Sequence, residues 1–253
     1  MNEASHGAWA VLLDFDGTLV DLANHPDDVV VPKDLVGLLL RLQDRFDGAL
    51  ALVSGRSIPD IDRFLAPHRF DVAALHGAER RVRNVVESQS DEHVRMLRPA
   101  IELLSRRLGE EPGVLIEDKG AAVAVHWRMA PTMGPAVTTL VEHIADGLAP
   151  EFRLQLGKSV AEIAPGDADK GRAIKALLTK PSYAGRRPVF IGDDVTDHDG
   201  FDMVQRLGGI AVHVGKDSGG KAPYFLDDPT SVRKCLATWA AGIPIDPVRD
   251  FHS

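Results

Sequence analysis

Apolar and polar positions follow two rhythms along this chain, and the rhythms assign most of its elements. An apolar run from Ala8 to Leu13 reads as a buried strand and ends directly in Asp14-Phe15-Asp16-Gly17-Thr18. Leu35, Leu38, Leu39, Leu42 and Phe46 recur at helical spacing and predict a helix. A strand at Ala49–Val53, a short helix near Pro59–Leu65 and a strand at Val72–Leu75 follow. The order returns late, with a helix from about Lys170 to Leu178, a strand at Val189–Ile191 and a helix near Asp199–Leu207. A strand at Ile210–Val214 and a helix near Thr230–Ala241 complete it. Strands alternating with helices predict an α/β core around a mostly parallel sheet covered on both faces. Ligands of such sheets sit at the carboxyl ends of the strands. The polar segments after Leu13, Val53 and Ile191 are all such ends.

The middle of the chain is built differently. Val94, Leu97, Ile101, Leu104 and Leu108 mark one amphipathic helix, and residues from Val114 to Arg128 read as two strands turning at Lys119-Gly120. Val137, Leu140, Val141, Ile144 and Leu148 mark a second helix, followed by a strand pair from Phe152 to Ile163 turning at Gly157-Lys158. Helix and hairpin, twice over, predict an α+β insert with an antiparallel sheet. The pattern places the core at residues 1–91 and 165–253 and the insert at 92–164.

Composition narrows the function classes. The chain has 253 residues, 44% hydrophobic and 26% charged, as expected of a folded globular protein. Its formal charge of −8 argues against a nucleic-acid binder. The single cysteine, Cys235, allows no internal disulfide and reads as a small buried apolar residue. No apolar run is long enough to span a bilayer, and no secretory signal pattern opens the sequence. These readings predict a cytoplasmic protein without a membrane partner.

The chemistry lies in four segments. Asp14 and Asp16 stand two apart at a strand end, a spacing that suits a carboxylate nucleophile beside a general acid/base. Alone, such a pair would be a capping turn. Asp193, Asp194 and Asp197 crowd the end of another buried strand and would repel one another without a cation nearby. Asp14 and Asp193 fit as ligands of a magnesium ion, and Asp194 and Asp197 as residues that orient ligands and water. Ser54, with Gly55 and Arg56, forms a strand-to-helix turn that can hold phosphate oxygens. Lys170 opens a helix, where a cation works against the helix dipole, so an anionic partner is expected. The Arg80-Arg81-x-Arg83 and Arg106-Arg107 runs read as solvated faces.

Together, Asp-x-Asp-Gly-Thr, the Ser turn, the Lys and Gly-Asp-Asp-x-x-Asp resemble the haloacid dehalogenase superfamily of phosphatases, with an insert similar to its C2-type cap. The resemblance implies Asp14 as nucleophile, Asp16 as acid/base, and Ser54 and Lys170 as phosphate contacts. It implies a Mg²⁺ site from Asp14, the Asp16 carbonyl and Asp193, with Thr18, Asp194 and Asp197 behind it. Val53-Ser54-Gly55-Arg56, His76-Gly77-Ala78-Glu79-Arg80-Arg81, Lys119-Gly120 with His126-Trp127-Arg128, and Gly157-Lys158 with Glu162-Ile163 are similar to the bacterial trehalose-6-phosphate phosphatase family. That resemblance implies sugar contacts from Glu117, Lys119 and Glu162 in a cap that closes over the substrate. Ala122, Ala124, His126 and Arg128 would share one strand face by alternation, placing His126 and Arg128 beside the sugar. The chain departs from the family pattern at His198 and Ala164. The expected partner is a small phosphosugar, with a functional link to a trehalose-phosphate synthase, and the expected state is a monomer. Two alternatives stay open: another phosphosugar such as sucrose 6-phosphate or a mannosyl phosphate, and a non-catalytic sugar-phosphate sensor.

Overall fold

A computed structural model describes residues 9–87, 91–216 and 219–253; Ala8, expected to open the first strand, lies outside them. The chain divides into two units, one up to Val86 and from Asp169 to Ser253, the other Glu87–Ala168.

The first unit opens with β1 (Trp9–Leu13), whose last four residues are buried. α1 (Leu35–Arg45) buries Leu35, Leu38, Leu39 and Leu42, the stripe that its spacing predicts. β2 (Leu50–Val53) is buried throughout, α2 (Ile58–Phe64) starts on a Ser57 cap that accepts from the Asp60 N–H, and β3 (Asp71–Ala74) is again fully buried. Two strands that the apolar pattern did not predict follow, β4 (Glu79–Val82) and β5 (Val85–Glu87).

The second unit contains α3 (Asp91–Leu108), β6 (Leu115–Asp118), β7 (Val123–His126), α4 (Gly134–Asp146), β8 (Phe152–Gly157) and β9 (Val160–Pro165). Its strands form an antiparallel sheet in the order β6-β7-β9-β8. Val123, Val125, Ala161, Ile163 and Phe152 pack with Leu97, Leu104, Val137 and Val141 of the helices, giving this unit its own apolar core.

The chain then returns to the first unit with α5 (Lys170–Leu178), β10 (Arg187–Gly192), α6 (His198–Arg206), β11 (Ile210–Val214), β12 (Tyr224–Leu226), α7 (Pro229–Ala240) and α8 (Pro247–Asp250). The large sheet runs β12-β11-β10-β1-β2-β3-β4-β5, parallel from β12 to β3 and antiparallel from β3 to β4. β1 is central, between β10 and β2. Leu13 is level with Ile191 on one side and Leu52 on the other, so the three following loops emerge together. No described helix is long and apolar enough to cross a membrane.

Arg81 corrects the reading of its run as a solvated face. It is 3% exposed, with Nη1 and Nη2 donating to Asp62 at 2.7 and 2.6 Å and Nη2 also to the Phe70 carbonyl at 2.9 Å. The charge of β4 thus serves to fasten α2 to the sheet.

At the opposite end from the site loops, the Tyr183 hydroxyl lies 2.8 Å from both the Leu50 carbonyl and an Asp71 carboxylate oxygen. Burial and the Asp71 charge raise its pKa, so it stays a donor. Tyr183→Phe removes the donor and leaves a buried carboxylate oxygen short of a partner, which should cost about 1–3 kcal/mol of stability. Urea denaturation checks this, and an unchanged midpoint would contradict it.

Candidate functional site

Three loops at the carboxyl ends of β10, β1 and β2, with the first residue of α5, bring the predicted core residues together. The loop after β1 is tightened by its own backbone: Leu19 N and Val20 N both donate to the Phe15 carbonyl, and Gly17 N donates to the Val20 carbonyl. Gly17 adopts φ +73°, and a Cβ there would stand 2.2 Å from a carboxylate oxygen of Asp193. Only glycine lets the Asp14–Asp16 loop approach Asp193 so closely.

Asp14, Asp193 and Asp197 are all buried, and each offers a carboxylate oxygen within 4.8 Å of the others. Lys170, 2% exposed, reaches into this group with Nζ 2.6 Å from Asp197 Oδ1 and 3.0 Å from Asp14 Oδ1. Burial alone would lower the lysine pKa, but Asp14 and Asp197 overcome it and hold the ammonium charged. Burial pushes the Asp14 pKa well up; Lys170 opposes that, while Asp197, Asp193 and Asp16 add to it. One ammonium is too little positive charge for these carboxylates, so the cluster suits a divalent cation.

The three carboxylates are not equivalent. Asp197 Oδ2 accepts from the N–H groups of Asp193 and Asp194, each at 2.9 Å, and its Oδ1 takes Lys170. Both its oxygens are engaged, so it shapes the loop and steadies the lysine. Asp194 caps the short 3₁₀ turn Val195–Asp197. Asp14 and Asp193 are the other two carboxylates of the group that could ligate a metal, and Gly17 packs closely on Asp193. Thr18 is fully buried behind, its hydroxyl without a hydrogen-bond partner among the described residues.

Ser54 is also buried. Its hydroxyl oxygen accepts from the Arg56 N–H at 3.2 Å, which leaves its own proton free to donate. Gly55 is covered by His76: a Cβ on Gly55 would fall 2.6 Å from His76 Nε2. Arg56, in the turn expected to hold phosphate oxygens, is bound to Asp16, with Nε and Nη2 donating to the two carboxylate oxygens at 2.6 and 2.8 Å. Its guanidinium lies 4.7 Å from the Phe64 ring centroid. Sequence spacing could not reveal this clamp because its partners are forty residues apart. The arrangement holds the carboxyl group of Asp16 in one place.

In the second unit, β-sheet register sets Glu117 opposite Ala124 and Ala124 opposite Glu162, a row across three strands. Lys119 Nζ is 2.7 Å from Glu162 Oε2 and 4.0 Å from Glu117 Oε2, and His126 Nε2 is 2.8 Å from that Glu117 oxygen. These four residues form one charged network with a methyl group at its floor. Arg128 is the exception: β7 ends at His126, and Arg128 lies in the following turn, where it donates to the Lys158 carbonyl at 3.3 Å. The expected alternation therefore does not extend to Arg128.

Residues 12–230 match the family described as Trehalose-phosphatase. The chain is 45% identical, over 82% of its length and 78% of the other's, to a Sinorhizobium fredii protein named "Probable trehalose-phosphate phosphatase". It is 42% identical to the trehalose-6-phosphate phosphatase of Escherichia coli, covering 82% of this chain and 77% of that one. It also superposes, with a TM-score of 0.79 and 26% identity, on a crystal structure of a trehalose-6-phosphate phosphatase related protein, covering 91% of this chain and 96% of that chain.

Asp197→Ala should unbalance this centre without touching the outer loops. It takes the nearer of two carboxylates from a buried ammonium and strands two loop N–H groups, and the loss should be about 3–5 kcal/mol. Chemical denaturation measures it; a variant as stable as its parent would show that Lys170 does not depend on Asp197.

Proposed function

The chain belongs to the trehalose-phosphatase family, and from that premise we propose that it hydrolyses trehalose 6-phosphate to trehalose and phosphate through an aspartyl-phosphate on Asp14. The observation that carries the reading is the buried group of Asp14, Lys170, Asp193 and Asp197 at the carboxyl end of the sheet, with Asp16 held alongside by Arg56. The fold is that of the haloacid dehalogenase phosphatases.

In the first half-reaction an Asp14 oxygen attacks phosphorus, and the bond from phosphorus to the sugar oxygen breaks. The departing oxygen takes a proton from Asp16. In the second half, Asp16 removes a proton from water, which attacks the phosphorus of the acyl-phosphate and frees Asp14. Lys170 holds Asp14 in place and offsets charge on the phosphoryl oxygens, and the Ser54 hydroxyl donates to one of them. A divalent metal, for which we propose Mg²⁺, would be held by Asp14, the Asp16 carbonyl and Asp193 and would neutralise phosphoryl charge. Thr18, Asp194 and Asp197 support these groups from behind. Glu117, Lys119, His126 and Glu162 are the proposed sugar contacts, since a neutral polyol is best read by a mixture of fixed acceptors and donors. Arg128, at the hairpin end, takes a secondary part.

The reaction consumes a phosphorylated disaccharide, which places it after a trehalose-phosphate synthase. With its one cysteine buried and free, the chain needs no oxidising compartment, and the cytoplasm is its proposed location.

Phosphate release from trehalose 6-phosphate, sucrose 6-phosphate, a mannosyl phosphate and glucose 6-phosphate tests the reading directly. Trehalose 6-phosphate should have the highest kcat/KM, and activity should vanish with chelator and return with Mg²⁺. Asp14→Asn should keep the fold and lose ~10⁴-fold or more in kcat. Near-parental turnover by that variant would end the assignment of Asp14, and a higher kcat/KM for another sugar would end that of the substrate. Glu162→Gln should act mainly on KM for trehalose 6-phosphate, and a pure kcat effect would argue against a sugar contact.

A further inference from the structure

The row that holds Glu117, Ala124 and Glu162 does not stop at β9. Register places Gln155 of β8 directly opposite Glu162, so the row reads carboxylate, methyl, carboxylate, amide across all four strands. Cross-strand neighbours on one face stand close enough for their side chains to act on the same ligand. Alternation puts Leu154 on the other face, where it packs against the apolar core of the unit. Gln155 thus belongs to the polar face.

The charged residues around it bond to one another. Lys119 and Glu162 engage each other at 2.7 Å, and His126 and Glu117 at 2.8 Å. Gln155 Oε1 is buried, yet it has no hydrogen-bond partner among the described residues. A buried acceptor without a donor costs folding stability, and folded proteins seldom keep one for structural reasons. An aliphatic side chain would suit the strand better if folding were the only demand. An amide left short of a donor, beside a network proposed to hold a polyol, has the chemistry of a group awaiting a hydroxyl.

We propose that Gln155 is a further specificity-determining residue, its amide oxygen accepting a hydrogen bond from a hydroxyl of the disaccharide. This rests on the reading of Glu117, Lys119 and Glu162 as sugar contacts and extends it to the fourth strand. The amide is neutral, so it adds an acceptor without adding a third negative charge next to Glu117 and Glu162.

The test uses the full chain with Mg²⁺, Gln155→Leu and Gln155→Ala, and two substrates, trehalose 6-phosphate and p-nitrophenyl phosphate, which carries no sugar. Gln155→Leu should raise KM for trehalose 6-phosphate about tenfold, with a smaller change in kcat, because one neutral hydrogen bond to the ligand is lost. Its loss in kcat/KM on p-nitrophenyl phosphate should be several-fold smaller. Its melting temperature should equal or exceed that of the parent, since an unsatisfied polar group has been removed. A residue with a structural role would instead lower the melting temperature and reduce both activities together. Gln155→Ala should show the same KM effect, which keeps the test decisive if leucine fails to pack. Three results would overturn the proposal: KM within twofold of the parent, as when solvent satisfies the amide; equal losses on both substrates; or a lowered melting temperature in both variants. A parent that cleaves p-nitrophenyl phosphate but not trehalose 6-phosphate would overturn the substrate reading itself, a result seen before any variant is made.

Discussion

The buried ammonium of Lys170 between Asp14 and Asp197 is the contact on which the first unit's chemistry depends. Carboxylates taken out of water at this density are tolerable only when opposite charge and hydrogen bonds accompany them. The lysine supplies part of that charge, and the loop N–H groups that bind Asp197 supply hydrogen bonds. The group of Asp14, Asp193 and Asp197 still carries more negative charge than one lysine offsets, which suits a divalent cation. The protein is therefore stable enough to fold around its acids and still negative enough there to favour a cation.

Geometry makes this balance possible. Neighbouring parallel strands that end at one level deliver Asp14, Ser54 and Asp193 to one place, although the sequence separates them widely. Close approach then depends on residues without side chains. Gly17 admits the Asp193 carboxylate, Gly55 admits the His76 ring, and Gly192 lies against the Asp197 carboxylate, where a Cβ would be 2.4 Å from its carbon. A larger residue at any of these would push apart groups whose distances set the chemistry.

Much of this could be read before any coordinates. The apolar strands β1, β2, β10 and β11 and the striped helices announced themselves, because burial of nearly every residue leaves an unmistakable hydrophobic run. β4, β5 and β12 did not. They are short and lie toward the sheet edges; β4 carries three charged residues, β5 is exposed throughout and β12 has only three residues, so no apolar period marks them. The core acids were legible because their spacing is local. Pairings made by the fold were not: Arg56 with Asp16, Arg81 with Asp62, and the lateral neighbours of Glu162 depend on which strands lie side by side. A strand pattern states which face a residue takes and says nothing about who stands next to it.

The existence of two separate apolar cores has a consequence for descent. Leu97, Val123, Val137 and Phe152 keep the insert folded by contacts of its own, whereas Leu12, Leu39, Phe190 and Trp239 do the same for the catalytic sheet. Substitutions that repack one core can therefore accumulate without disturbing the packing of the other.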